Sequence, residues 1–194
     1  MTHNIRFATP GDAKELLDIY APYVETTAIT FEYDVPSVEE FTQRIETISQ
    51  SYPYLVYLVD GEIAGYAYAS TFRTRAAFMW DVETSVYVKP EFHQKKVAAK
   101  LYEALLSLLT KQGFYNCYAY ISVPNPKSTH FHEKFGFTEI ASYPDTGFKL
   151  GQWCSLSCMH KELNPIITTE APKPFLTIHK LDQEFIRQTL QSVL

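Results

Sequence analysis

Two apolar runs joined by a tight-turn dipeptide constrain this chain more than any other feature. Residues 54–59 read YLVYLV, Asp60-Gly61 follows, and residues 62–72 resume as EIAGYAYASTF. Asp-Gly between two runs rich in β-branched and aromatic residues signals a two-residue hairpin turn. The chain therefore builds an antiparallel sheet near its centre and is not a helical bundle. A third run, WDVETSVYV at 80–88, adds a strand that Pro90 ends, because proline has no N–H to give a ladder.

Helical signals surround these strands. Residues 4–8 read as an opening strand, and Thr9-Pro10-Gly11-Asp12 starts a helix that carries Leu16, Leu17, Ile19, Tyr20 and Tyr23 to Val24. Ser37 with Glu40 forms a capping box for a helix over 38–50. The connector 26–36 keeps Ile29, Phe31 and Tyr33, so it is expected to fold over something. Val97, Leu101, Leu105 and Leu108 mark one face of a helix over 96–111, which Gly113 stops. A strand over 115–123, a helix over 125–134 stopped by Gly136, and strands over 137–142 and 152–161 complete the order βααβββαβαββ. This is an α/β (α+β) chain with a mixed sheet flanked by helices. At Asn164 the composition shifts. NPIITTEAPKPF reads as extended, and residues 181–193 read as a terminal helix. The expected organisation is a domain over 1–163 and an extension over 164–194.

Composition narrows the function classes. Of 194 residues, 46% are hydrophobic, enough for a packed core. The net charge of -5 argues against a nucleic-acid partner, whose usual footprint is basic. The 14 tyrosines suit half-buried pockets and interfaces. Cys117, Cys154 and Cys158 are an odd set, and four residues of strand separate the last two by roughly 13 Å, too far for a bridge. No basic and apolar leader opens the chain and no run is long enough to span a bilayer. A cytoplasmic protein with no membrane contact is expected, and no His or Cys spacing suggests a metal site.

The run VETSVYVKPEFHQKKVAAKLYEALL (82–106) resembles the cofactor-binding core of the GNAT acetyltransferases, a strand, a basic loop and a helix. NPKSTHFHEKFGF (125–137) resembles that family's Asn-containing helix. DIYAPYVETTAITFE (18–32), YPYLVYLVDGEIAGYAYA (52–69), RTRAAFMWDVETSVYV (73–88) and GFKLGQWCSL (147–156) resemble its phosphinothricin acetyltransferase subgroup. The resemblance covers residues 4–163. It implies a GNAT fold with a mostly antiparallel sheet, acetyl-CoA as cosubstrate, and N-acetylation of a small amino-acid-like amine such as phosphinothricin, methionine sulfone or methionine sulfoximine. It also implies a homodimer, for which Tyr143, Phe148 and Trp153 are interface candidates.

The family's loop carries Gln or Arg, two residues, Gly, one residue, then Gly or Ala. Here it reads His93, Gln94, Lys95, Lys96, Val97, Ala98, so Lys96 stands where the first Gly is customary. Gly there lets the backbone approach a diphosphate. Free N–H groups at the helix start, continuing to Ala99, supply anion binding whatever the side chain. Val86, Tyr87 and Val88 match the strand whose backbone the family exposes to the cofactor, and Asn125 and Ser128 match contacts to its pantetheine arm. Asn125 also suits a plain helix N-cap.

Acyl transfer to an amine needs a base, a positioned thioester and a proton for the departing thiolate. Glu83, mid-strand among apolar residues, fits a base whose pKa is raised by burial; on the residues alone the solvent side of a strand fits it somewhat better. The resemblance puts it on the family's catalytic Glu. His132 falls where the subgroup has His and most of the family has Tyr, so the resemblance implies a proton donor to coenzyme A or a helper in amine deprotonation. For the substrate, Arg73 and Arg75 can grip a carboxylate, with Phe31 and Phe78 as apolar walls. A peptide or protein amine as acceptor, and a degenerate domain that binds without turnover, are the alternatives.

Overall fold

The structure is a computed structural model that describes residues 1–167, 170 and 172–194. The expected extended reading of 164–175 lies partly outside those residues. Seven strands form one sheet: β1 (His3–Phe7), β2 (Tyr54–Val59), β3 (Glu62–Thr71), β4 (Asp81–Val88), β5 (Asn116–Val123), β6 (Thr138–Lys149) and β7 (Gln152–Glu162), in the order β1-β2-β3-β4-β5-β7-β6. Only the β4–β5 pair is parallel. Five α-helices cover it: α1 (Ala13–Thr26), α2 (Val38–Ser49), α3 (Val97–Gln112), α4 (Pro126–Lys134) and α5 (Gln183–Ser192).

Local chemistry accounts for most boundaries. Asp60 and Gly61 both have positive φ, 50° and 89°, the geometry of a two-residue turn that matches strand twist. Ser37 caps α2 by accepting from the Glu40 N–H at 3.1 Å, and Gly113 closes α3 at φ 95°. β2 is buried along nearly its whole length, which explains its unbroken apolar run.

β6 is longer than the expected 137–142. Pro144-Asp145-Thr146-Gly147 reads as a turn, but the chain makes it an irregularity between Tyr143 and Gly147 within the strand. Such a bulge with a proline is tolerated because β6 is the sheet edge. The real hairpin turn is Leu150-Gly151, both at positive φ, a conformation that leucine does not advertise.

The sheet separates two cores. On one face α1 and α2 pack on Tyr54, Val56, Ile63 and Tyr66. On the other α3 packs on Leu55, Tyr57, Val82 and Val88. The extension joins this second core through Ile178, Leu181, Ile186 and Val193. Phe175 stacks on Phe114 at 4.5 Å, and Leu176 exchanges hydrogen bonds with Gln112. The tail therefore docks on its own chain. All three cysteines are unpaired, and no helix among the described residues is long and apolar enough to cross a membrane.

Candidate active site

The site begins where β4 and β5 part. Their pairing holds for three positions, Asp81↔Asn116, Val82↔Cys117 and Glu83↔Tyr118, although each strand has eight residues. Beyond Glu83 a gap opens inside the sheet. The Lys89 N–H bonds to the Ala64 carbonyl across β3 at 2.9 Å. Backbone direction alternates along a strand, so Tyr87 also points its main chain at β3, while Val86 and Val88 point theirs into the gap. The Val88 carbonyl accepts the Tyr23 hydroxyl at 2.7 Å and lies 3.0 Å from His93 Nε2. Tyr87 differs from its two neighbours. Its ring joins an aromatic cluster with Tyr20, Tyr23 and Tyr66 at 5.0–5.3 Å.

Glu83 closes the paired stretch. Its side chain is on the α1/α2 face, beside Ser70 of β3 and Tyr118 of β5 in the register. Burial alone pushes its carboxyl above the usual range, because desolvation disfavours the charged form. No salt bridge to Glu83 occurs among the described residues. Its charge helps raise the Tyr120 and Cys158 pKa values, so those groups share its surroundings. Phe72 stacks on Tyr118 at 4.2 Å. Arg73 lies over Phe72 at 5.0 Å, and its charge works against the upward shift that burial gives the Cys158 thiol. Phe78 is one layer out, edge-on to Phe72 at 5.9 Å. Arg75 is exposed and precedes a short 3-10 turn at 76–78.

At the far end of β4 the loop turns into α3. Gln94 and Lys96 both have φ 63°. The customary glycine is thus explained by the left-handed backbone as well as by close approach, and Lys96 adopts it at a cost of about 1–2 kcal/mol. The first intrahelical bond is Lys100 N–H to Lys96 C=O at 3.0 Å. The N–H groups of Val97, Ala98 and Ala99 precede it, at the positive end of the helix dipole. Val97 itself is buried and anchors the turn, and Lys95 lies over Phe92 at 5.0 Å.

His132 is on the opposite face from Glu83. The Tyr102 hydroxyl is 2.6 Å from Thr84 Oγ1, and Thr84 alternates with Glu83 along β4. The His132 ring packs edge-on against Tyr102 and Phe137, each at 5.3 Å. Its Nδ1 is 2.8 Å from the Ser128 carbonyl, an acceptor, so Nδ1 carries the hydrogen and Nε2 the lone pair. Burial holds the imidazole below its ordinary pKa. Asn125 caps α4, accepting from the Ser128 N–H at 3.2 Å, which leaves its amide nitrogen available.

The connector between α1 and α2 covers the Glu83 face, as its apolar residues imply. Lys149, almost fully buried, donates to the Thr30 carbonyl at 2.7 Å. Tyr33 donates to the Phe148 carbonyl, and Arg44 grips Glu32 at 2.7 Å. The Phe31 ring lies so close to Gly147 that a Cβ there would come within 2.5 Å of it. Glycine at 147 therefore leaves room for the Phe31 ring, which any side chain there would displace. Beside this loop is a cleft of about 350 Å³ that also borders the ends of β5 and β7.

Comparisons with known proteins give the family. A model of the acetyltransferase (GNAT) domain matches residues 5–155. The chain belongs to the GNAT acetyltransferase family. It is 35% identical over 149 residues to a phosphinothricin N-acetyltransferase of Streptomyces viridochromogenes, covering 77% of this chain and 81% of the relative. It is 33% identical over 174 residues to an L-methionine sulfoximine/L-methionine sulfone acetyltransferase of Pseudomonas paraeruginosa, covering 89% and 100%. Among solved structures, a phosphinothricin acetyltransferase from Sinorhizobium meliloti in complex with AcCoA superposes with a TM-score of 0.84 at 34% identity, covering 91% of this chain and 96% of that one. This GNAT enzyme is an acetyl-CoA-dependent N-acetyltransferase. Two features of its own structure fit that cosubstrate: main-chain groups of Val86 directed into a gap, where an amide-bearing arm can pair, and helical N–H groups that precede the first intrahelical bond, where an anion can sit. Among the described residues no cluster of His, Cys, Asp or Glu is arranged to hold a metal.

Sequence reasoning passed over several residues that the fold brings here. Tyr23 sits inside a motif already singled out, yet nothing local tells that it reaches Val88, 65 residues away. Tyr102 reads as a core position of α3. Tyr120 and Ser122 lie outside every motif singled out, and Gln152 falls within GFKLGQWCSL without marking itself as a site residue.

Proposed function

We propose that this enzyme acetylates the amino group of a small amino-acid-like acceptor of the phosphinothricin, methionine sulfone or methionine sulfoximine type, with Glu83 as the base. The observation that carries this reading is a lone carboxylate, raised by burial and free of any described salt bridge, at the last paired position before the sheet opens. A base of that kind takes a proton from an ammonium group at near-neutral pH, directly or through one water.

Bound acetyl-CoA supplies an activated thioester. Val86 offers main-chain groups to its arm, as does the Asn125 amide, with Ser128 at the same helix start; Val88 faces the same gap, but its main-chain groups meet the Tyr23 hydroxyl. The turn from His93 through Gln94, Lys95 and Lys96 to Val97, Ala98 and Ala99 offers N–H groups and lysine charge to its phosphates. Tyr87 contributes through its ring, as a support for α1. His132 works through Nε2, whose lone pair takes up the second proton shed by the acceptor nitrogen as the C–N bond forms; burial disfavours the charged ring, so that proton passes on to sulfur as the C–S bond breaks. Arg73 holds the acceptor's carboxylate, Arg75 adds positive charge at the rim, and Phe31 and Phe78 wall the cleft. Acceptor and thiol thus meet through the sheet from opposite faces.

We also infer a cytoplasmic homodimer without nucleic-acid or membrane partners. Its support is the β6–β7 hairpin, where Phe148 and Trp153, in edge contact at 5.4 Å, are 46% and 63% exposed beside exposed Leu150. Such aromatic surface favours burial in an interface. Sedimentation should give a dimer that Trp153→Glu dissociates. For the activity, free thiol release is followed with acetyl-CoA and a panel of amino-acid analogues. Turnover of a small analogue that Glu83→Gln abolishes is expected. Turnover unaffected by Glu83→Gln sinks the assignment.

A further inference from the structure

The extension reaches both ends of the connector, 72–80, that joins β3 to β4. At the β4 end, Trp80 donates its indole N–H to the Lys173 carbonyl at 2.8 Å. Its own carbonyl accepts the Tyr115 N–H at 2.9 Å, so side chain and main chain are both held. At the β3 end, Phe175 stacks on Tyr52 at 5.9 Å, and the Tyr52 hydroxyl is 3.0 Å from Oγ1 of Thr71, the last residue of β3. The segment that makes these contacts is itself anchored. The buried Gln112 amide donates to the Ser51 carbonyl at 2.8 Å and to the Leu176 carbonyl at 2.6 Å, and the Ile178 N–H donates to the Ser51 carbonyl at 3.0 Å. The connector has less to hold it. Arg73 through Ala77 are exposed, and its inner main-chain bonds are the turn contacts from Phe78 to Arg75 at 2.9 Å and from Met79 to Ala76 at 3.1 Å. It carries Arg73, whose guanidinium lies over Phe72 and Phe78 at 5.0 and 6.0 Å.

We propose that Trp80 and Tyr52 are positioning residues: through them the extension clamps both ends of this connector and so sets where Arg73 meets the acceptor's carboxylate. The inference rests on the reading of Arg73 given under the proposed function. A guanidinium grips a carboxylate through a planar fork, which demands orientation as well as distance. An exposed loop supplies neither by itself, so the precision has to come from where its ends are tied, and a displacement of about 1 Å is enough to weaken such a grip. The extension thereby belongs to the acceptor site as well as to the second core, although it lies beyond the family domain of 5–155.

The test compares the native enzyme with Trp80→Phe, Tyr52→Phe and the double variant. Each change removes one hydrogen bond and keeps a ring in place, so the packing that builds the fold persists. The KM for L-methionine sulfone should rise about threefold in each single variant and about tenfold in the double one, with kcat and the acetyl-CoA KM unchanged. Hydrogen exchange without substrate should quicken over 72–79 and stay native in α3. Native exchange over 72–79 in the double variant overturns the clamp, as does a lowered Tm with both KM values unmoved. Arg73→Ala is measured beside them. If it raises the acceptor KM while the double variant does not, the clamp alone fails. If it leaves the acceptor KM unmoved, the reading of Arg73 fails and takes the proposal with it.

Discussion

Glu83 and Thr84 are consecutive on β4 and face opposite sides of the sheet, and the two sides handle charge differently. On the Glu83 side the lining is tyrosine-rich: Tyr54 stacks on Tyr68 at 4.8 Å and on Tyr66 at 5.8 Å, and an arginine waits at the rim. On the Thr84 side the lining is closed and apolar around Tyr102, Phe131, Phe135 and Phe137. Among the groups that burial moves, one on each side is a candidate for proton transfer, and these two move in opposite senses. Glu83 rises and His132 falls, because burial penalises the charged form of each. The difference teaches that one cause, desolvation, prepares a base on one face and a neutral imidazole on the other, with the parted strands between them.

Removing the base should have the largest effect. Glu83→Gln is expected to lower kcat by about 10²–10⁴-fold while calorimetry finds acetyl-CoA binding intact; equal losses in both would mean that the two faces are not separable. The native enzyme's kcat/KM should fall as pH drops through a value above the ordinary 4.5 of Glu, since the raised carboxyl is protonated, and useless as a base, below it. That acidic limb should vanish with whatever activity Glu83→Gln retains.

His132→Ala should cost less, about 10²-fold in kcat, with the acceptor KM little changed. A large rise in acceptor KM would put His132 on the wrong side of the comparison. Gly147→Ala probes the acceptor side alone. Its methyl must displace the Phe31 ring, and overpacking of about 1–3 kcal/mol should raise the acceptor KM roughly tenfold while sparing that for acetyl-CoA. The smallest effect is expected at Lys96→Gly. Relief of the left-handed backbone should raise the unfolding free energy in urea by up to about 1 kcal/mol, with acetyl-CoA affinity weakened by the lost charge. Unchanged stability would show that Lys96 bears no strain.

Much of this was legible in the sequence where the determinant is local. The Asp60-Gly61 hairpin, the Ser37 cap, the Gly113 stop and the helical face of Val97, Leu101, Leu105 and Leu108 follow from neighbours within a few residues, and the structure carries each one. β6 outruns the expected 137–142 because its place at the sheet edge lets the strand continue past Pro144 and Asp145. At Lys96 the sequence marked an unusual residue but gave only half the reason for it. The left-handed φ became visible with the backbone.

The sequence by itself determined the element order, the family likeness and the identity of Glu83 and His132 as residues worth watching. These depend on periodicity, turn chemistry and motif, which are written into short stretches of chain. Tertiary structure alone decided that β4 and β5 part after Glu83, that Glu83 and His132 lie on opposite faces, that Tyr23 reaches Val88, and that a cleft without charge opens beside Gln152. Each of those depends on strand register and on contacts between segments tens of residues apart, and no local pattern encodes which distant groups will share one space.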